Sequence, residues 1–327
     1  MKRILCSIGL MVLMFLAVPY LTLRLMEPEV MVERTMATEL VRRVEDVGSE
    51  SRLIYSITEA HESMSDFERY LVGVVAAEMP ALFHIEALKA QAVASRTYAL
   101  YSMKNMGMEH FDYSRIGEIW QAYISEDEMR LRWGNDFNVH FAKITEAVYA
   151  SRGEILMYEG EPIVAVFHAF SGGMTEYSEN VWNEARPYLR SVNSDFYSYR
   201  ADFIQELSFS GDEFLRLLRV EFSDITFGSG DIASQIIINH RTIAGYITSV
   251  TVGNKDMDGA LLRRLLGLRS TNFEVSRRQD RIVFEVRGHG HGAGMSQVGA
   301  NALAGMGYDY AAILKHYYFG VEIVRVE

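Results

Sequence analysis

The hydrophobic pattern divides the chain into stretches of different period. Lys2 and Arg3 precede an almost unbroken apolar run over 4–23, closed by Arg24. A span of about 20 apolar residues is long enough to cross a bilayer as a helix. Basic residues ahead of it favour an inside N-terminus, with the rest of the chain outside. Pro19 is tolerable in such a helix. The run exceeds the apolar core of a cleaved signal peptide and lacks a small-x-small exit. The expectation is therefore an uncleaved membrane anchor over 1–26, followed by a charged, weakly periodic linker over 27–52.

From residue 53 onward the pattern alternates between the two regular periods. Phe67, Leu71, Val74 and Val75 recur near 3.6, which predicts a helix over 66–78 with Asp66 as its cap. Pro80 disfavours helical geometry at Met79 and should end that helix near Glu78. A second helix is predicted over 85–103. Residues 104–134 read as polar and irregular. Residues 138–151 look helical, and 154–170 alternates like strands around Gly160. Helical spacing returns over 203–222, strand character over 236–252, and a short helix over 259–268. Two strands across a charged turn at 277–280 fill 273–284, and one last helix is predicted over 298–319. The predicted class is α+β: a helical segment packed on mixed sheets, preceded by one transmembrane helix.

Composition narrows this further. With 327 residues, 49% of them hydrophobic, the chain can bury a large core. A net charge of −11 opposes a binder that tracks nucleic-acid phosphates. No phosphate-cradling or dinucleotide glycine motif stands in its strand and helix context. The one cysteine, Cys6, lies in the apolar run. Residues 53–327 therefore have neither an intrachain disulfide nor a thiolate for a metal.

Candidate chemistry concentrates in GVVAAEMPALFHIEALKAQAVASRTYAL, residues 73–100. Glu78 would sit at the negative end of a helix dipole among apolar neighbours, and both conditions oppose ionisation. That environment makes a carboxyl a general acid near neutrality; the bland alternative is a helix-end glutamate with no chemistry. Lys89 and Arg96 lie seven apart, on one face of the second helix, and alanines at 87, 90, 92, 94 and 99 leave room for a close neighbour. In FHAFSGG, 167–173, adjacent glycines let backbone amides approach a ligand closely, or form only a tight turn. RGHGHGAGMSQ, 287–297, would place His289 and His291 on one side of an extended backbone. Metal ligation, acid/base work and cleft lining remain open for them, although no third ligand stands nearby. Trp182, Tyr188 and Tyr197 suit either a core or a sugar face. His110 reads as a loop histidine.

Four segments together resemble the stage II sporulation protein D family, which includes relatives described as amidase enhancers. They are the 73–100 run, PIVAVFHAFSGGMTEYSENVWNEARPYLRSV (162–192), ALLRRLLGLRSTNF (260–273) and RGHGHGAGMSQVGANALAGMGYDYAAILKHYYFGVEI (287–323). The resemblance covers the chain from about residue 53 to its end. It implies a lytic transglycosylase that cleaves peptidoglycan between N-acetylmuramic acid and N-acetylglucosamine and leaves 1,6-anhydro ends. Glu78 would be the catalytic acid/base. Lys89, Gln91, Arg96, Ser171, Gly172, Gly173, His289, His291 and Gln297 would bind substrate. Two free cations at Lys89 and Arg96 would favour denuded strands with exposed lactyl carboxylates. No cofactor is implied. A cysteine/histidine zinc site found in such proteins is not expected, because WQAY stands at 120–123. The implied setting is the mother-cell membrane facing the forespore during engulfment. The implied partners are stage II sporulation proteins P and M. The alternative is a non-catalytic, glycan-binding enhancer of an amidase.

Overall fold

Ser65 starts the first helix, α1, Asp66–Glu78, by accepting a hydrogen bond from the Glu68 backbone N–H. The cap is thus Ser65, not Asp66. Asp66 is already helical and joins Glu68 in the first turn, where carboxylates complement the positive helix end. In the computed structural model, which describes residues 64–119, 121–196 and 203–326, α1 ends as Pro80 demands: Met79 is extended at φ −122°, ψ 143°. The predicted anchor over 1–26, the linker over 27–52, and Trp120 and Tyr197 lie outside the described residues. Among the described residues no helix is long and apolar enough to cross a membrane.

Helix α2, Ile85–Asn105, packs against α1, and alanines 87, 90, 92, 94 and 99 are all fully buried. Small side chains there let neighbouring elements approach closely. Residues 104–134 are more ordered than their polarity predicted. A 3₁₀ turn over Tyr113–Glu118 leads to α3, Glu126–Trp133, which starts with a reciprocal Ser125–Glu128 capping box. Only Met129 of α3 is buried, so the segment has no apolar period to read. Helix α4, Phe137–Ala150, completes the helical layer.

Strand β1, Glu154–Tyr158, pairs with the short β2, Glu161–Pro162, across the turn at Gly160. Strand β3, Phe167–His168, and the short helix α5, Ser178–Trp182, close the first half.

The chain then builds a second core. Its strands are β4 (Ile204–Phe209), β5 (Ile236–Arg241), β6 (Ile247–Val252), β7 (Lys255–Asp258), β8 (Asn272–Arg278) and β9 (Arg281–Arg287). They form two antiparallel sheets, β4–β9–β8 and β5–β6–β7. Helices α6, Gly211–Leu218, and α7, Gly259–Leu266, cover them through Phe214, Leu218, Leu262 and Leu266. The helix predicted over 203–222 is corrected here. Its first part is β4, paired with β9 from Ile204↔Arg287 to Phe209↔Ile282, and a Ser210–Glu213 capping box starts the helix only afterwards. Sheet pairing overrides an apolar spacing that fits both periods.

The chain returns to the first core through β10, Met295–Ser296, which pairs in parallel with β3. The predicted final helix is two, α8 (Gln297–Gly305) and α9 (Tyr310–Tyr317). Gly307 takes φ +93° and Asp309 caps the next helix, so the axis breaks between them. Strand β11, Glu322–Arg325, pairs antiparallel with β1. The first core thus joins helices from both ends of the described residues, for which the mixed α+β expectation holds.

Candidate active site

Glu78 is the last residue of α1, beyond which the chain turns away at Met79 and Pro80. Its Oε1 accepts a hydrogen bond from the Ala122 backbone N–H at 3.1 Å, and its carboxyl also receives one from the Gln297 side chain. Burial is the largest influence and pushes its pKa up to about 7; the two donors oppose that rise. No neighbouring charge is among the causes. A carboxyl in this state is divided near neutrality between its acid and base forms, which suits a group that must give and then take a proton.

The segment 121–124 reaches Glu78 because Gly73 lets it. The Ile124 N–H donates to the Gly73 carbonyl at 3.3 Å, and Tyr123 lies on Gly73 while stacking on Tyr70 at 5.6 Å. Gln121 fastens the same segment: it accepts from the Tyr70 hydroxyl at 3.3 Å and donates to the Ser95 carbonyl at 3.2 Å. A Cβ at position 73 would stand 2.3 Å from the Tyr123 ring and 2.7 Å from the Ile124 carbonyl oxygen. Gly73→Ala would gain about 1 kcal/mol in an open helix, but here it must displace the segment that carries the Ala122 N–H. The expected outcome is a loss of about 1–3 kcal/mol from overpacking, with weakened activity. Thermal denaturation checks it, and an alanine variant as stable as the parent would refute the close-approach account.

The two cations expected beside Glu78 are elsewhere. Gln91 on α2 points toward Gln297, accepting from its Nε2 at 3.3 Å. Positions 89 and 91 differ by roughly 200° around a helix with 3.6 residues per turn, so Lys89 faces away from that contact. Its ammonium pairs with Glu86 at 2.7 Å and lies 5.9 Å from the Tyr310 ring centre. Arg96 is fully buried, and its guanidinium grips Glu68 with two bonds of 2.8 and 2.7 Å. It also donates to the carbonyls of Val148, in the last turn of α4, and Glu154, at the start of β1. Glu68 and Glu78 are ten residues apart on α1, about 15 Å at 1.5 Å per residue. Arg96 therefore is not a substrate ligand: it is spent on joining α1, α2, α4 and β1. The denuded-strand preference drawn from a free Lys89–Arg96 pair loses its physical basis with it.

The two glycine-rich motifs meet through β3 and β10. His168 accompanies them, a residue the sequence reading did not single out although it lies within FHAFSGG. One ring nitrogen of His168 is 3.0 Å from Ser171 Oγ and the other 3.1 Å from the Ala293 carbonyl. Ser171 is therefore buried and engaged internally. A Cβ on Gly172 would come within 2.5 Å of Asn272 Nδ2, so this glycine serves a close approach between the cores. Gly173 takes φ +125°.

The GHGHGAG backbone is not extended. Gly288, Gly290, Gly292 and Gly294 take φ of +80°, +113°, +84° and +71°, a path open to glycine alone, which corrects the expected simple alternation. Burial pushes His168 down to about 3 and His289 and His291 down to about 4, so all three are neutral at pH 7. Trp182, exposed, lies 5.0 Å from His291 between ring centres, whereas Tyr188 is buried and His110 is exposed. Among the described residues no three His, Cys, Asp or Glu side chains stand where they could hold a metal.

Gln297 follows Ser296 directly, and the Val298 N–H donates to the Ala169 carbonyl at 3.0 Å. Both motifs are thereby tied to the helix start whose glutamine reaches Glu78. The structure brings Glu78, Gln91 and Gln297 together, with Gln121, Ala122, Tyr70 and Ser95 as partners the sequence reading missed. The Ala122 donor is a main-chain group, and no residue type announces it.

A family model described as "Stage II sporulation protein" matches residues 58–158, the segment holding α1, α2 and Glu78. Stage II sporulation protein D of Bacillus amyloliquefaciens is 38% identical over 263 residues, 80% of this chain and 74% of that protein. The chain belongs to the stage II sporulation protein D family. Stage II sporulation protein D of Bacillus subtilis strain 168 is 37% identical, over 80% of this chain and 75% of its own length. An amidase enhancer from the same organism is 27% identical over 77% of this chain and 40% of that protein. These relatives make the chain a sporulation protein related to amidase enhancers.

Proposed function

We propose that this family member is a lytic transglycosylase of peptidoglycan glycan strands, with Glu78 as its single acid/base. The observation that carries the reading is the half-buried Glu78 carboxyl, raised by desolvation to a pKa of about 7, with two donors and no second carboxylate among the groups that shift it. Glycosidases that use water ordinarily need two carboxyl groups. Transglycosylation within the muramic residue needs one. Glu78 protonates the leaving glycosidic oxygen as the bond from the anomeric carbon breaks. The resulting carboxylate takes the proton of the muramic C6 hydroxyl as that oxygen bonds to the anomeric carbon. The acid is restored, no water is consumed, and a 1,6-anhydro end is left.

The setting belongs to the same proposal: an N-terminal anchor in the mother-cell membrane, the domain outside it, and stage II sporulation proteins P and M as partners during engulfment. The amidase-enhancer relative favours a second reading, a glycan-binding module without catalysis. Incubation of the protein with peptide-free glycan separates the two. Mass spectrometry is expected to find 1,6-anhydromuramic ends that accumulate with time; bound but uncut glycan would overturn the enzymatic reading.

A further inference from the structure

Behind Glu78 a chain of neutral amides runs into the core. Gln297, the first residue of α8, donates to the Glu78 carboxyl and, through Nε2, to Gln91 Oε1 at 3.3 Å. Gln91, fully buried on α2, donates in turn to Ser95 Oγ at 2.9 Å. A primary amide has two N–H donors and one carbonyl acceptor. With one N–H of Gln297 on Gln91, the second N–H of the same amide is left for Glu78. Sequence motifs explain none of this: Gln297 closes the histidine-glycine run, yet its side chain serves the distant glutamate.

We propose that Gln297, oriented by Gln91 and Ser95, is a positioning residue that keeps one N–H donor on the Glu78 carboxylate and so lets the acid become a base. The inference rests on the acid/base reading of Glu78. Burial alone would hold the proton on Glu78 and leave the second proton transfer without a base. A donor that bonds the charged form more strongly than the neutral one counters burial without adding a charge that would repel or trap substrate. The Ala122 N–H supplies the first such donor and Gln297 the second. The titratable group that senses Glu78 is Tyr70 of the same helix, raised by burial first and by Glu78 next. Tyr123 of the 121–124 segment and Tyr98 of α2 act on Tyr70, and neither is among the causes of the Glu78 shift. From α8 the neutral Gln297 amide faces Glu78, and Lys89 of α2 is paired with Glu86.

The test titrates the Glu78 carboxyl directly, by ¹³C NMR of the folded protein without substrate, its resonance identified by its loss in Glu78→Gln. Gln297→Leu removes the donor; Gln91→Met removes only its support. A hydrogen bond to a charged group is worth about one pKa unit or somewhat more. The Glu78 midpoint is therefore expected to rise by about one unit in Gln297→Leu and by a smaller step of the same sign in Gln91→Met. The alkaline limb of the cleavage profile should move with it. A folded Gln297→Leu protein with the parent midpoint overturns the proposal. An unmoved midpoint in Gln91→Met overturns the relay, and decides the matter alone where Gln297→Leu does not fold. Because the titration needs no turnover, it stands apart from the enzymatic reading, which fails separately if Glu78→Gln still cleaves.

Discussion

Glu78→Gln is expected to slow glycan cleavage by about 10² to 10⁴-fold, the usual worth of a general acid/base, while leaving the fold intact. Glutamine keeps the size of the side chain and can still accept from the Ala122 N–H, but it can neither give nor take the proton. The same substitution should alter stability in the opposite sense. The folded protein holds the Glu78 proton to about pH 7, whereas the unfolded chain releases it near 4.5. Between those values the native state binds more protons than the unfolded state, so stability falls as pH rises and the full penalty is present above about pH 7. Removing the carboxyl should therefore raise stability at pH 8 by about 1–3 kcal/mol, the range allowing for the partial exposure of the side chain. It should do nothing at pH 4, where both states are protonated. Paired rate and denaturation measurements at the two pH values read both effects. Parent-level cleavage by the folded glutamine variant would remove Glu78 from the mechanism. A variant no more stable than the parent at pH 8 would contradict the buried, costly carboxyl.

Arg96→Ala carries the other large expectation, and it concerns folding. The substitution leaves the Glu68 carboxylate buried without its bidentate partner and strips the Val148 and Glu154 carbonyls of a donor. Breaking a buried pair from one side costs about 3–5 kcal/mol. That is a large share of the roughly 5–15 kcal/mol that holds a domain together. Arg96→Lys should recover only part, since one ammonium cannot reproduce a planar fork that serves a carboxylate and two carbonyls. Replacing both members, Arg96→Met with Glu68→Leu, should cost less than Arg96→Ala alone because no uncompensated charge remains. Urea denaturation of the four proteins decides this. A fully stable Arg96→Ala protein with impaired glycan binding would return the arginine to the substrate site.

Part of the architecture was legible in the amino-acid order because its causes are local. Pro80 forbids helical geometry one residue earlier, so the end of α1 at Glu78 follows from two adjacent residues. The β8–β9 hairpin, the extent of α2 and the short helix α7 likewise follow from turn residues and side-chain period. The environment of Glu78 was legible in kind: apolar neighbours at a helix end announce a carboxyl that resists ionisation, and burial proves the dominant cause.

What sequence order could not supply was direction and partnership. A helical period states that Lys89 and Arg96 share a face of α2, but not which body that face meets. Glu68, Val148 and Glu154 decided it, at sequence separations of 28, 52 and 58. A basic residue reads as a ligand for anionic substrate until the fold places a buried carboxylate against it. The donors on Glu78 were hidden for a related reason. One is the backbone of Ala122, delivered by the missing side chain of Gly73, and the other is a glutamine more than two hundred residues away, brought in by the β3–β10 pairing. Local chemistry set the end of the helix that carries the acid. Only the packing of distant segments decided which groups surround it, because hydrogen bonds and burial depend on distance in space, and the chain order constrains that distance only over a few residues.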